Sequence, residues 1–135
     1  MTITIIKNNI RKYNLLMRQG IPIFVKFYSP TCGACIAMQQ EWKKLLKDIK
    51  QYQGSVGIAE INIHNINKLN GYNQVHYVPT IALIQHGNLV KEYKQPRISN
   101  HMLSFLKRQH IIYRSQRTMR KKKRKKQKSR RNLNI

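Results

Sequence analysis

Apolar residues recur at three- and four-residue steps through Ile10, Tyr13 and Met17, the stripe of an amphipathic helix that Gly20 and Pro22 then stop. The run that follows, Ile21 to Tyr28, is too uniformly apolar for a surface strand and reads as a central strand buried on both faces. Ser29-Pro30-Thr31 turns the chain, with Ser29 or Thr31 placed to cap what comes next. From Gly33 to about Lys50, the positions Ile36, Met38, Trp42, Leu45, Leu46 and Ile49 predict one long amphipathic helix with a lysine-rich outer side. Gly54 marks its exit, Val56 to Ile63 alternates as a strand, and the Asn-rich stretch Asn65 to Gln74 has room only for a short helix. Ile81 to Ile84 and Leu89 to Tyr93, joined through His86-Gly87-Asn88, predict a hairpin closed by a tight Gly-Asn connection. After Pro96, the residues Ile98, Met102, Phe105 and Leu106 mark a final helix with Ser99 or Asn100 near its cap. Helices alternating with strands, closed by a hairpin and a helix, predict an α/β fold with a mixed sheet covered on both faces. No internal repeat is visible.

Length and charge divide this pattern in two. A chain of 135 residues with 41% hydrophobic content supports one domain with one core. The net charge is +23, and residues 111 to 135 hold six Lys and six Arg with no acid. The remaining +11 arises in residues 1 to 110, from fifteen basic side chains and the four acids Glu41, Asp48, Glu60 and Glu92. The expected organisation is a domain over 1–110 and a basic, disordered tail over 111–135. Such a field favours polyanions as partners. The tail segment Lys121, Lys122, Lys123, Arg124, Lys125 and Lys126 points to nuclear import or to nucleic-acid binding. With no aromatic residue between Arg114 and Arg131, that binding would run through phosphates, indifferent to base sequence. The first ten residues lack the charged start, long apolar stretch and cleavage site of a secretory signal, and no run approaches the ~20 apolar residues of a membrane span. With Met1 as the native start, the expected location is the cytosolic side, where a lasting structural disulfide is disfavoured.

The only two cysteines, Cys32 and Cys35, stand at the junction of the apolar strand and the long helix. Thiols three positions apart can close a disulfide across one helical turn, and a helix N-terminus stabilises the attacking thiolate. Packing and zinc binding are the other uses such a pair could have. Buried cysteines kept for packing would need neither the partner nor this position, and a zinc site would need ligand spacing that His64, His76, His86, His101 and His110 do not have. No metal and no cofactor is expected. His76 reads as a solvated loop residue, and Trp42, Met38 and Phe105 as core.

The stretch Phe27-Tyr28-Ser29-Pro30-Thr31-Cys32-Gly33-Ala34-Cys35, followed about 45 residues later by Tyr77-Val78-Pro79-Thr80, resembles the thioredoxin superfamily, and most nearly its protein disulfide isomerase domains. Glu41-Trp42 and Tyr93-x-x-x-Arg97 support the likeness, which covers about residues 5 to 110. The resemblance implies a thioredoxin fold. It implies Cys32 as the exposed nucleophile and Cys35 as the buried resolving thiol. Pro79 would be a cis-proline facing the pair, and the Val78 backbone would bind substrate as an added strand, with Thr31, Gly33 and Ala34 lining the groove. Arg97 matches an arginine that favours the resolving thiolate.

Three residues depart from the family pattern. Thr31 replaces the usual Trp before the first cysteine, and Gly33-Ala34 differs from both the thioredoxin and the isomerase dipeptide. Lys26 stands where many relatives place a buried acid as proton acceptor. Charged, it would lower the pKa of Cys35 and Cys32; neutral, it would accept the proton itself. The expected protein is a monomeric thiol-disulfide oxidoreductase acting on protein disulfides. The competing class is a non-enzymatic protein that binds or packages nucleic acid on the same scaffold. Heavy use of Ile, Asn and Lys, with an isomerase-like domain and no signal, is similar to thioredoxin-like proteins of large cytoplasmic DNA viruses, some of which travel in the virion. The direction of the redox chemistry depends on a potential that residue types do not set.

Overall fold

The computed structural model describes residues 2–114; the basic run Lys121 to Lys126 lies outside them. Strand β2 (Ile23–Tyr28) forms the middle of a five-stranded sheet, as its uninterrupted apolar run requires. It pairs in parallel with β4 (Val56–Asn62), which in turn pairs in parallel with β1 (Ile3–Lys7). On its other side β2 runs antiparallel to β5 (Thr80–Gln85), and β5 antiparallel to β6 (Asn88–Tyr93), giving the order β1-β4-β2-β5-β6.

Side chains alternate across β2 and sort the core into two layers. Ile23, Val25 and Phe27 face the layer that holds Tyr13, Leu16 and Met17 of helix α1 (Ile10–Arg18). Phe24 faces the opposite layer, with Trp42 and Leu45 of α3 (Gln39–Asp48) and Met102, Phe105 and Leu106 of α4 (Ser99–Arg108). There the Phe24 ring lies 6.1 Å from Trp42, 6.0 Å from Tyr93 and 5.7 Å from Phe105, and such aromatic pairs add to area burial. By the same alternation Lys26 falls on the Phe24 side, where an apolar residue would be expected.

The single helix expected from Gly33 to Lys50 is two: α2 (Gly33–Ala37) and α3, divided at Met38, whose φ and ψ are −89° and −2°. Ile36 is 52% exposed, contrary to its expected place on the apolar face. At about 100° per residue it stands roughly 160° around the helix from Met38, so it never shared the stripe of Met38, Trp42, Leu45 and Ile49. The hairpin turn is also shifted. His86 and Gly87 take the positive φ values, 52° and 75°, and Asn88 already belongs to β6. The polar segment forms a 3₁₀ turn over Ile63–Lys68.

Neither Ser99 nor Asn100 caps α4 by its side chain; Ile98 occupies the cap position. The carboxylates of α3 do that work across the interface. Glu41 Oε1 accepts the Ser99 N–H at 3.3 Å, and Asp48 Oδ2 accepts from the Ser99 hydroxyl at 3.2 Å. Negative charge at a helix N-terminus is favourable there on electrostatic grounds as well.

Residues 111–114, assigned by composition to the start of the tail, continue the fold. Ile112 is buried among α3 and α4 residues, and β7 (Tyr113–Arg114) pairs antiparallel with β3 (Tyr52–Gln53). Gly54 permits this join: its φ is +155°, and a Cβ there would lie 2.2 Å from the Ile111 carbonyl oxygen.

Candidate active site

Strand β2 ends at Tyr28, and the turn through Ser29 and Pro30 delivers Cys32 to the cap position of α2. Cys32 has extended backbone, φ −81° and ψ 118°, so its sulfur turns back over the first turn and accepts the Cys35 N–H at 3.1 Å. The same Sγ lies 3.6 Å from the Val78 carbonyl oxygen, to which the thiol donates. Cys35 is 3% exposed, and neither cysteine is in a disulfide. The Val78–Pro79 peptide is cis, and Pro79 is buried beside the pair.

These surroundings push the two thiols apart. Hydrogen bonding with Cys35 draws Cys32 below the ordinary thiol value, helped by the N–H groups of Cys35 and Ala34 and by the charge of Arg97. Burial pushes Cys35 up, and its hydrogen bond with Cys32 adds to the rise, against an opposing pull from Lys26. One thiol is therefore prepared to ionise and attack while the other keeps its proton.

A thioredoxin family model matches residues 4–108. The chain belongs to the thioredoxin family. Among curated relatives of this thioredoxin domain is the thioredoxin domain-containing protein 5 homolog of Drosophila melanogaster, 32% identical over 99 residues that make up 72% of this chain and 24% of the relative. A protein disulfide-isomerase of Medicago sativa is 32% identical over 91 residues, 64% of this chain and 18% of its own. The chain thus spans a quarter or less of these relatives. Among solved structures, the J-Trx1 fragment of ERdj5 superimposes with a TM-score of 0.62 at 22% identity, covering 78% of this chain and 51% of the fragment. Zinc-bound human ERp44 gives 0.63 at 13% identity, covering 78% of this chain and 32% of its own. These likenesses establish the shared fold.

Within this thioredoxin domain, Thr31, Gly33 and Ala34 lie exposed around Cys32, and a Cβ on Gly33 would meet nothing within 4 Å. The pair therefore opens onto solvent on that side. A groove of about 550 Å³ extends from Pro79 past Tyr77 and Tyr93 to Lys94 and Arg97. Tyr77 is 58% exposed at its mouth, its hydroxyl bonded to Glu92. Arg97 is exposed, and its charge acts on Cys32. Lys26 is 2% exposed behind Cys35; its ammonium lies 3.3 Å from Glu60 Oε2, 4.8 Å from the Trp42 ring centre and 5.5 Å from that of Tyr28. Burial lowers the Lys26 pKa, and Glu60 raises it in opposition. His76 is exposed, and Trp42, Met38 and Phe105 are core.

Glu60 is the residue that sequence reasoning passed over. A signal was present: β2 and β4 are both buried central strands, and each carries one charge on its inner stretch, Lys26 and Glu60, of opposite sign. Their register makes them direct neighbours. Among the described residues no group of three or more His, Cys, Asp or Glu side chains is placed to hold a metal ion, and no helix is long and apolar enough to cross a membrane.

Proposed function

We propose that this domain is a thiol-disulfide oxidoreductase that exchanges protein disulfides through Cys32 and Cys35 with no bound cofactor. The observation that carries the reading is the asymmetry of the pair: Cys32 accepts the Cys35 N–H at 3.1 Å and opens to solvent, while Cys35 is buried behind it. In the reducing direction, the Cys32 thiolate attacks one sulfur of a substrate disulfide and releases the other as thiolate. Cys35 then attacks Cys32, forms the Cys32–Cys35 disulfide and frees the second substrate thiol. The substrate gains two electrons and the pair loses two; the reverse sequence oxidises a dithiol.

An extended substrate segment would lie along the Val78 backbone at Pro79, over Thr31, Gly33 and Ala34. Arg97 supports the Cys32 thiolate and Lys26 that of Cys35. Insulin reduction by the wild type, abolished in Cys32→Ser and arrested as a mixed disulfide in Cys35→Ser, tests the assignment. Full activity in Cys32→Ser overturns it. The measured potential of the couple gives the direction, with about −270 mV marking a reductant and about −120 mV an oxidant.

Residues 115–135 contain eleven Lys and Arg and no acid, which supports a separate attachment to nucleic acid through Lys121, Lys122, Lys123, Arg124, Lys125 and Lys126. Removing 115–135 is then expected to lower markedly the salt concentration at which the protein leaves DNA, the basic domain alone binding more weakly, while insulin reduction is unchanged. An unchanged elution salt for the shortened protein overturns the attachment.

A further inference from the structure

The chain holds four acidic side chains, and the fold engages every one of them. Glu41 accepts the Ser99 N–H at 3.3 Å, and Asp48 accepts from the Ser99 hydroxyl at 3.2 Å. Glu60 pairs with Lys26 at 3.3 Å. Glu92 accepts from the Tyr77 hydroxyl and lies 3.7 Å from the Lys94 ammonium. No carboxylate is left over for Arg97: among the described residues the ion pairs are those of Lys26 and Lys94 alone.

The place of Arg97 gives its free charge a use. Arg97 lines the groove of about 550 Å³ that begins at Pro79, and the Val78 carbonyl next to that proline lies 3.6 Å from Cys32 Sγ. A segment laid extended along Val78 therefore reaches both, with its cysteine at the sulfur and a neighbouring side chain at the groove. Glu92 and Lys94 offset one another on the wall, which leaves Arg97 as the uncompensated charge. Its backbone is anchored on both sides. The Tyr93 hydroxyl donates to the Pro96 carbonyl, Gln95 Oε1 accepts from Arg108 at 3.0 Å, and Ser99 is fixed by Glu41 and Asp48. Only the arginine side chain remains to be ordered when an anion arrives, which keeps the entropic cost of binding low.

We infer that this groove selects disulfides flanked by an acidic residue, whose carboxylate pairs with the Arg97 guanidinium while the substrate cysteine is held at Cys32. The selection rests on the exchange reading above and gives its substrate class, acidic protein segments. Guanidinium and carboxylate match as planar partners, and a substrate lysine in the same place meets a like charge. The other cations of the chain act at longer range, on the encounter, and salt screens that effect. An apolar side chain against Ile81, Tyr77 and Tyr93 is the other occupant the lining admits.

The test uses the full chain, reduced, in single turnover with peptides whose one cysteine is in a disulfide with a fluorescent thiol. Glu, Gln, Lys or Leu is placed in turn at the two positions on each side of that cysteine. Each rate is divided by that of the same peptide with dithiothreitol, which removes the peptide's own reactivity. At the best position Glu is expected to exceed Lys by about tenfold at low salt, with Gln between them. Arg97→Gln is expected to bring that ratio to about threefold or less, and Arg97→Glu to bring Lys level with Glu or ahead of it. The ratio isolates the contact, because a change in the Cys32 thiolate alters the rates of all four peptides alike. Lys12→Gln removes the same charge from α1, on the other face of the sheet, and is expected to leave the ratio within about twofold of wild type. A ratio that Arg97→Gln leaves unchanged, or that Lys12→Gln lowers as much, overturns the inference alone, since the charge of the whole molecule then accounts for it. Leu ahead of Glu at every position also overturns it. If no peptide is cleaved, or Cys32→Ser cleaves as fast as wild type, the exchange reading fails and the selection with it.

Discussion

Replacing the buried ion pair by Lys26→Met with Glu60→Gln is expected to make the protein more stable. Attraction across 3.3 Å is about 5 kcal/mol at an effective dielectric of about 20. Against it stands the removal of two ions from water, several kcal/mol each after relaxation. Lys26 is 2% exposed and bears nearly the whole of its share, whereas Glu60, with 16% of its side chain exposed, retains some hydration. The contacts of the ammonium with Trp42 and Tyr28 return about 0.5–2 kcal/mol each, and a Met side chain keeps part of that through sulfur-aromatic contact. The depressed Lys26 pKa decides the sign: burial outweighs Glu60 and the other favourable charges. The double variant should gain about 1–2 kcal/mol, at the low end of the range for buried pairs replaced by apolar groups, because the amide introduced on β4 is polar and only partly reached by water. Each kcal/mol should raise Tm by roughly 4 °C in a domain of this size.

Thermal and urea unfolding, followed by circular dichroism at several pH values, checks the size and its pH dependence. A lysine whose folded pKa lies below its unfolded value binds the proton more tightly in the unfolded chain. Wild-type stability from this group therefore rises with pH through the window between the folded value and 10.5. The stability difference between variant and wild type should shrink over that alkaline window. A variant less stable than wild type at pH 7 would show that the pair is a net stabiliser and refute the reasoning.

Arg97→Gln should raise the apparent pKa of Cys32, slowing iodoacetamide alkylation at pH 7 by about two- to threefold, with no change once the thiol is fully ionised, because an exposed charge acts through screening solvent. Glu41→Ala should cost about 1–2 kcal/mol in urea unfolding by leaving the Ser99 N–H at the start of α4 without its carboxylate, and Glu41→Gln should recover part of that loss. Ending the chain at residue 110 instead of 114 should cost about 2–3 kcal/mol, the burial of Ile112 being lost, and unchanged urea midpoints for the two lengths would refute the placement of β7.

The strands with dense apolar content were legible from their residues. Ile23 to Tyr28 could only be central, and the hairpin, α1 and α4 followed from period and turn residues. The dithiol was legible for the same local reason, since two cysteines one turn apart at a strand-helix junction have few other uses. What escaped depends on neighbours distant in the chain. The α4 cap comes from Glu41 and Asp48, some fifty residues upstream, so no local reading of Ser99 or Asn100 could find it. The two-residue strands β3 and β7 are too short to carry a period, and β7 hid inside a composition that reads as tail. Lys26 is legible as a lysine in an acid's place. Its carboxylate partner became visible only when β4 was laid beside β2 in register.

The join of β7 to β3 also fixes where the chain leaves the described fold. Tyr52 pairs with Arg114 and follows directly on the 3₁₀ turn Ile49–Gln51 that closes α3, whereas Cys32 stands at the other end of the same run, at the α2 cap. The sequence beyond Arg114 is therefore attached to the domain behind the end of α3 and not at the turn that carries the reactive sulfur.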